Sequence, residues 1–157
     1  MRYAILGDIH ANLCALESVL ETLDGGARHH GRRAGDVVGY GAAPLEAIEA
    51  LRAREAIVVK GNHDAACTGE LDTRLFNANA KAAVDFTRER LSREDLQWLA
   101  DLPLVRATDD CVLAHGTLPD PDRHTSVQKG CCAKATPLAP SLFLHTLVTL
   151  LQACTAR

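Results

Sequence analysis

Tyr3-Ala4-Ile5-Leu6-Gly7-Asp8-Ile9-His10-Ala11-Asn12-Leu13 joins a short apolar run to an acidic residue and then to a residue suited to open a helix. Tyr3 to Gly7 predicts a buried strand, and Asn12 predicts the N-cap of a helix whose apolar face is Leu13, Leu16, Val19, Leu20 and Leu23. The order then repeats. Pro44 lies in the first turn of a second helical pattern with Leu45, Ile48 and Leu51 on one face, followed by the β-branched run Ile57-Val58-Val59. Strand and helix in alternation indicate an α/β fold with a largely parallel sheet, where ligand sites lie beyond the carboxyl ends of strands. Asp8 and Gly61-Asn62-His63-Asp64 both fall at such ends.

Further along, Ala78 to Arg90 predicts an amphipathic helix, and Ser92-Arg93-Glu94-Asp95 predicts a capping box opening a short helix that stops before Pro103. Leu104 to Ala107 and Cys111 to Ala114 flank Asp109-Asp110, so they read as a hairpin whose second strand delivers His115-Gly116. Two segments break the pattern. The run Asp24 to Gly35 holds no Val, Ile, Leu, Phe or Met where the alternation wants a buried strand, so that strand is expected to be damaged or missing. Residues 123–157 hold no Asp or Glu although the chain has 20, an accident with a chance of about 1%. The expected organisation is therefore a domain over 1–122 and an atypical acid-free tail over 123–157.

Length and composition fit one globular domain: 157 residues, 47% hydrophobic and 24% charged. A net charge of −3 argues against a general nucleic-acid or polybasic membrane binder. Cys14, Cys67, Cys111, Cys131, Cys132 and Cys154 lack paired C-x-x-C spacing, and Asp8 comes too early for a signal peptide, so a reduced, cytoplasmic protein is expected. The apolar stretch Ser141 to Ala153 carries His145 and falls short of the roughly 20 residues of a membrane span. No dinucleotide or P-loop glycine motif follows the first strand, and no G-x-S-x-G elbow occurs.

Asp8-Ile9-His10 sets a carboxylate and an imidazole two residues apart in a loop, a spacing that lets both turn toward one cation. Taken alone it also reads as a helix cap beside a solvated histidine. Asp36 stands 26 residues after His10 and Asn62 another 26 after Asp36, about one strand-helix unit each time. Gly61-Asn62-His63-Asp64 offers an amide oxygen for a metal, an imidazole for acid-base work and a carboxylate to orient it. A specified tetrapeptide in a chain this short arises on the order of once in a thousand sequences.

Asp8-x-His10, Gly35-Asp36, Gly61-Asn62-His63-Asp64 and His115-Gly116, in that order, resemble the motifs of the calcineurin-like metallophosphoesterases. Gly35-Asp36-Val37-Val38-Gly39-Tyr40-Gly41 further resembles small bacterial members. The resemblance implies a metallo-dependent phosphatase-like α/β/β/α sandwich, here with its C-terminal part incomplete, and a site for two divalent cations. Asp8 and His10 would bind the first, Asp36 would bridge both, and Asn62 and His115 would bind the second. His63 would protonate the leaving oxygen or steady the phosphate, with Asp64 orienting it. Mn²⁺ is the first expectation, with Fe, Zn²⁺ or Ni²⁺ compatible with mixed N/O ligands. The implied reaction is hydrolysis of phosphomonoesters or phosphodiesters, with a small phosphate ester or nucleotide as substrate.

Members of the family also carry a late Gly-His-x-His motif, and nothing after His115 has that form. His145 reads as a packing residue and His124 has no motif context, while His29 and His30 read as part of a basic loop with Arg28, Arg32 and Arg33. Each cation site would then be one imidazole short. A truncated or frame-shifted version of a longer enzyme would account for both foreign segments. The competing expectation is a catalytically impaired fragment, or a non-enzymatic metal-binding or interaction module of the same fold. A sheet lacking its later strands would leave an edge open to homo-oligomer formation.

Overall fold

A computed structural model describes residues 4–25, 32–107, 111–116 and the pair 134–135. His29, His30, Asp109-Asp110, His124 and His145 lie outside the described residues. The first unit runs β1 (Ala4–Ile5), α1 (Leu13–Asp24), β2 (Arg32–Ala34), α2 (Pro44–Arg52) and β3 (Ile57–Val58). Its strands form a parallel sheet in the order β1-β2-β3, with Ile5 opposite Arg33 and Ala34 opposite Val58.

The presence of β2 corrects the expectation of a missing strand. Arg32–Ala34 is the middle strand of the sheet, paired on both sides. A ladder is built from N–H and C=O groups that every residue except proline carries, so an apolar run is not required to make one.

The helices follow their sequence signals. Asn12 Oδ1 accepts the N–H of Ala15 at 3.2 Å and caps α1, which buries Leu16 and Leu20. Pro44 opens α2, with Ile48 and Leu51 fully buried, and α1 packs on α2. Each such side chain contributes about 1.5–3 kcal/mol of transfer free energy to the core, before ordering costs.

After β3 come α3 (Asn62–Thr68), a 3₁₀ turn (Thr73–Leu75), α4 (Ala78–Arg90) and α5 (Arg93–Ala100). Asn77 caps α4, and Ser92 with Asp95 forms the expected box on α5: Asp95 N–H donates to Ser92 Oγ and Ser92 N–H to the Asp95 carboxylate, both at 3.2 Å. Helix α3 packs on α4 and α5. The second sheet is antiparallel, in the order β4 (Val105–Ala107), β5 (Cys111–Ala114) and β6 (Lys134–Ala135). The class is α/β, as expected, and β6 comes from the segment that composition sets apart. No described helix is long and apolar enough to cross a membrane.

Because β1, β2 and β3 are parallel, the segments that follow them leave the same edge of the sheet. Those segments carry Asp8, Asp36 and Gly61 to Asp64, while His115 follows β5 directly.

Candidate metal centre

The loops after β1 and β2 continue side by side past the strands. Asp8 N–H donates to Gly35 O at 3.0 Å, His10 N–H to Asp36 O at 3.0 Å and Ala11 N–H to Val37 O at 2.8 Å. This tie holds Asp8, His10 and Asp36 in left-handed backbone, with φ of 47°, 48° and 52°. Residues other than glycine adopt that region at a cost of order 1–3 kcal/mol, and such strain clusters at functional sites.

Asp36 stands at the centre and is 2% exposed. Its Oδ1 accepts the main-chain N–H of His63 at 2.9 Å. Its Oδ2 lies 3.3 Å from His115 Nε2 and 3.7 Å from His10 Nε2. His115 Nε2 is also 3.8 Å from Asp8 Oδ1. The His10 Nδ1 atom, 3.1 Å from Val38 O, donates to that carbonyl in the tautomer that leaves Nε2 with its lone pair toward Asp36. Gly61 has extended backbone that any residue could adopt, yet a Cβ there would overlap the Asp36 carboxylate. The glycine is required for close approach.

Two sets of three donors emerge, each with its atoms within 4.8 Å of one another: Asp8, Asp36 and His115, and His10, Asp36 and His63. Asp36 belongs to both. In these sets Asp8 stands with His115, and His10 with His63. Asn62 heads α3 with its side chain half-buried.

The hydrogen bonds also correct the role expected for Asp64. Its carboxylate accepts the N–H groups of Val37 at 3.0 Å, Val38 at 3.1 Å and Gly61 at 2.9 Å, so it pins the loop after β2 to the start of α3. It does not hold the His63 ring, whose Nδ1 is buried with no hydrogen-bond partner.

Electrostatics follow from this crowding. Burial would raise the Asp36 pKa, but the hydrogen bond and charge of His115, with His10 and His63, bring it below the usual carboxylate value. Burial alone would lower His115, and Asp36, Asp8 and Asp64 raise it to about 9. Asp8 is raised by burial and by Asp36, against the pull of His115 and His10. Asp64 is pushed up to about 6 by burial and then by the Asp36 charge, against its N–H donors. His63 falls to about 4 because burial and the neighbouring histidines outweigh Asp36.

One carboxylate and three imidazoles gathered around the buried Asp36 carboxylate suit a divalent cation, for which mixed oxygen and nitrogen donors are ordinary ligands. Neither the ring of His10 nor that of His115 competes for solvent alone; both turn an Nε2 toward Asp36. The family model described as calcineurin-like phosphoesterase matches residues 1–137. The chain belongs to that family.

Among relatives, this chain is 36% identical over 102 residues to the "uncharacterized protein MJ0912" of Methanocaldococcus jannaschii, covering 65% of the chain and 42% of the relative. It is similar to the metallophosphoesterase from Sphaerobacter thermophilus, with TM-score 0.61 and 43% identity over 74% of this chain and 47% of that one. It is also similar to the hypothetical protein PH1004 from Pyrococcus horikoshii OT3, with TM-score 0.60 and 25% identity over 69% of this chain and 50% of that one. The chain spans about half the length of these relatives.

Sequence reasoning missed two rings at the candidate centre. The His63 ring lies between Tyr40 and Phe76, with centroids at 4.6 and 5.1 Å, and Tyr40 also meets His10 edge-on at 5.0 Å. Phe76 follows the 3₁₀ turn, where no motif points to it. Tyr40 carried a signal, an aromatic residue between two glycines in a chain with 4% aromatic residues.

Proposed function

We propose that the chain forms a metal-dependent phosphoesterase centre in which two divalent cations share Asp36. The observation that carries this reading is the membership of buried Asp36 in both donor sets. Asp8 and His115 would serve one cation with the shared carboxylate and His10 the other, with the Asn62 amide as a further oxygen donor at the head of α3. Mn²⁺ is the first ion to try, with Fe, Zn²⁺ or Ni²⁺ compatible with the same donors. Cations bound here would supply Lewis-acid charge that makes a water nucleophilic and neutralises phosphoryl oxygens.

The chain's own groups do the rest. His63 is neutral at pH 7, since its pKa is near 4 and added cations would lower it further. Of the two expected roles, this favours a hydrogen bond that steadies a phosphoryl oxygen over transfer of a proton from an imidazolium. Asp64 positions the main chain on which Asp36 and His63 stand. In the overall reaction water adds to phosphorus, the ester P–O bond breaks and the alcohol leaves with a proton. A phosphomonoester, phosphodiester or nucleotide presents the same phosphoryl group to these residues.

A metal-binding module without turnover is the second reading, favoured by the lack of a Gly-His-x-His sequence after His115. Mn²⁺-dependent hydrolysis of bis-p-nitrophenyl phosphate separates the two, with Asp36→Asn as the control for contaminating phosphatase. Activity that disappears in Asp36→Asn supports the enzyme. A folded chain that binds Mn²⁺ without turnover of this or a monoester probe supports the module.

A further inference from the structure

Tyr40 is 52% exposed, in left-handed backbone at φ 53°, a conformation in which a bulky aromatic residue is an outlier. The loop is built to hold it there. Gly41 N–H donates to Gly39 O at 2.6 Å and to His10 O at 2.8 Å, closing a tight turn around Tyr40 and fastening it to the loop after β1. Gly39 has φ +92°, and a Cβ there would collide with the His63 ring. The Tyr40 ring is thereby set edge-on to His10, at 85°, and tilted against His63. Phe76 backs His63 at 5.1 Å. A ring needed only for packing would gain more by being buried in relaxed backbone, whereas Tyr40 keeps half its surface open beside the centre.

We propose that Tyr40 forms a subsite for a flat aromatic group carried by the ester, a nucleobase or an aryl ring, which stacks on the tyrosine while the phosphate meets the centre. The subsite rests on the phosphoesterase reading, since the phosphate brings the group alongside. Stacking on an exposed aromatic residue tolerates any ring with a π face, so purine and phenyl groups are both ligands of this chemistry. Tyr40 is then a specificity residue, and a small aliphatic group such as methyl, with little area to bury, gains far less from it than a flat ring.

The test uses uncleavable probes on the Mn²⁺-loaded chain: phenylphosphonate, the 5′-methylenephosphonate analogue of adenosine monophosphate, and methylphosphonate, with affinity read by calorimetry. The wild type should bind the ring-bearing probes about five- to a hundred-fold more tightly than methylphosphonate. Tyr40→Phe should keep that ratio and Tyr40→Leu should bring it close to one. A ratio that collapses for both ring probes assigns the subsite to any flat ring, and collapse for the adenosine probe alone assigns it to a nucleobase. A wild-type ratio near one overturns the proposal, as does a Tyr40→Leu chain that loses affinity for all three probes equally, which would make Tyr40 a prop for His10 and His63. If Tyr40→Leu fails to fold, Tyr40→Trp decides: the ratio is kept or raised, and a fall overturns the subsite. Failure of the phosphoesterase reading shows separately, as absence of hydrolysis by the wild type.

Discussion

Asp36 Oδ1 accepts the main-chain N–H of His63 at 2.9 Å while Oδ2 of the same carboxylate faces His115 Nε2 at 3.3 Å. One side chain thus fixes the first turn of α3 and presents the oxygen that His115 and His10 face. Changes that move Asp36 should therefore disturb folding and metal binding together.

Gly61→Ala tests that coupling without replacing a ligand. The added methyl group would overlap the Asp36 carboxylate, so the carboxylate or the loop must shift. Overpacking of this kind costs about 1–3 kcal/mol. Urea unfolding should show that loss, and Mn²⁺ titration should show weaker binding in the same variant. Wild-type stability and affinity in Gly61→Ala would refute the close approach.

Asp64→Ala should be worse for the fold. Three N–H groups, of Val37, Val38 and Gly61, would lose their acceptor in a place where Asp64 is fully buried. At about 1–3 kcal/mol for each unpaired donor, a loss above about 3 kcal/mol is expected. Asp64→Asn keeps one acceptor oxygen and should recover part of it, as chemical denaturation of the pair would reveal.

The pH dependence follows from His115. Its pKa near 9 in the metal-free fold lies above the ordinary 6.5. The Asp36 and His115 pair therefore stabilises the metal-free chain fully below about pH 6.5, and that contribution disappears as pH rises through about 9. Cation binding runs the opposite way. The ion must displace the His115 proton, so affinity should rise about tenfold per pH unit until about pH 9. Calorimetry in two buffers of different protonation enthalpy would count the proton released; affinity unchanged between about pH 7 and 9 would refute this coupling.

Ser92→Ala probes the scaffold at a distance from the centre. Loss of the cap on α5 should cost about 1 kcal/mol in thermal melting and leave Mn²⁺ affinity unchanged. A drop in affinity would mean that α5 communicates with the centre through α3.

Local signals carried most of the scaffold. Asn12, Pro44 and Ser92 each act within one helical turn, and each marks a helix start where it is found. The strand Arg32–Ala34 was illegible because its pairing with β1 and β3 is a long-range property of main chain that its side chains do not advertise. The motif residues Asp8, His10, Asp36, His63 and His115 could be named from sequence and do converge. Which of their donor atoms lie within reach of one another could not, since that depends on how loops from separate strands turn in left-handed backbone. The same holds for Asp64, whose side chain reaches Val37 and Val38 across 27 and 26 positions of sequence rather than its neighbour's ring.

The sharing of Asp36 between two cations is tested most directly by electron paramagnetic resonance of the chain titrated with Mn²⁺, alongside Asp36→Asn. Two ions per chain with an exchange-coupled spectrum, lost in Asp36→Asn, is the result expected when one carboxylate serves both ions. A single uncoupled Mn²⁺ at saturation, or a coupled pair that survives Asp36→Asn, would contradict it.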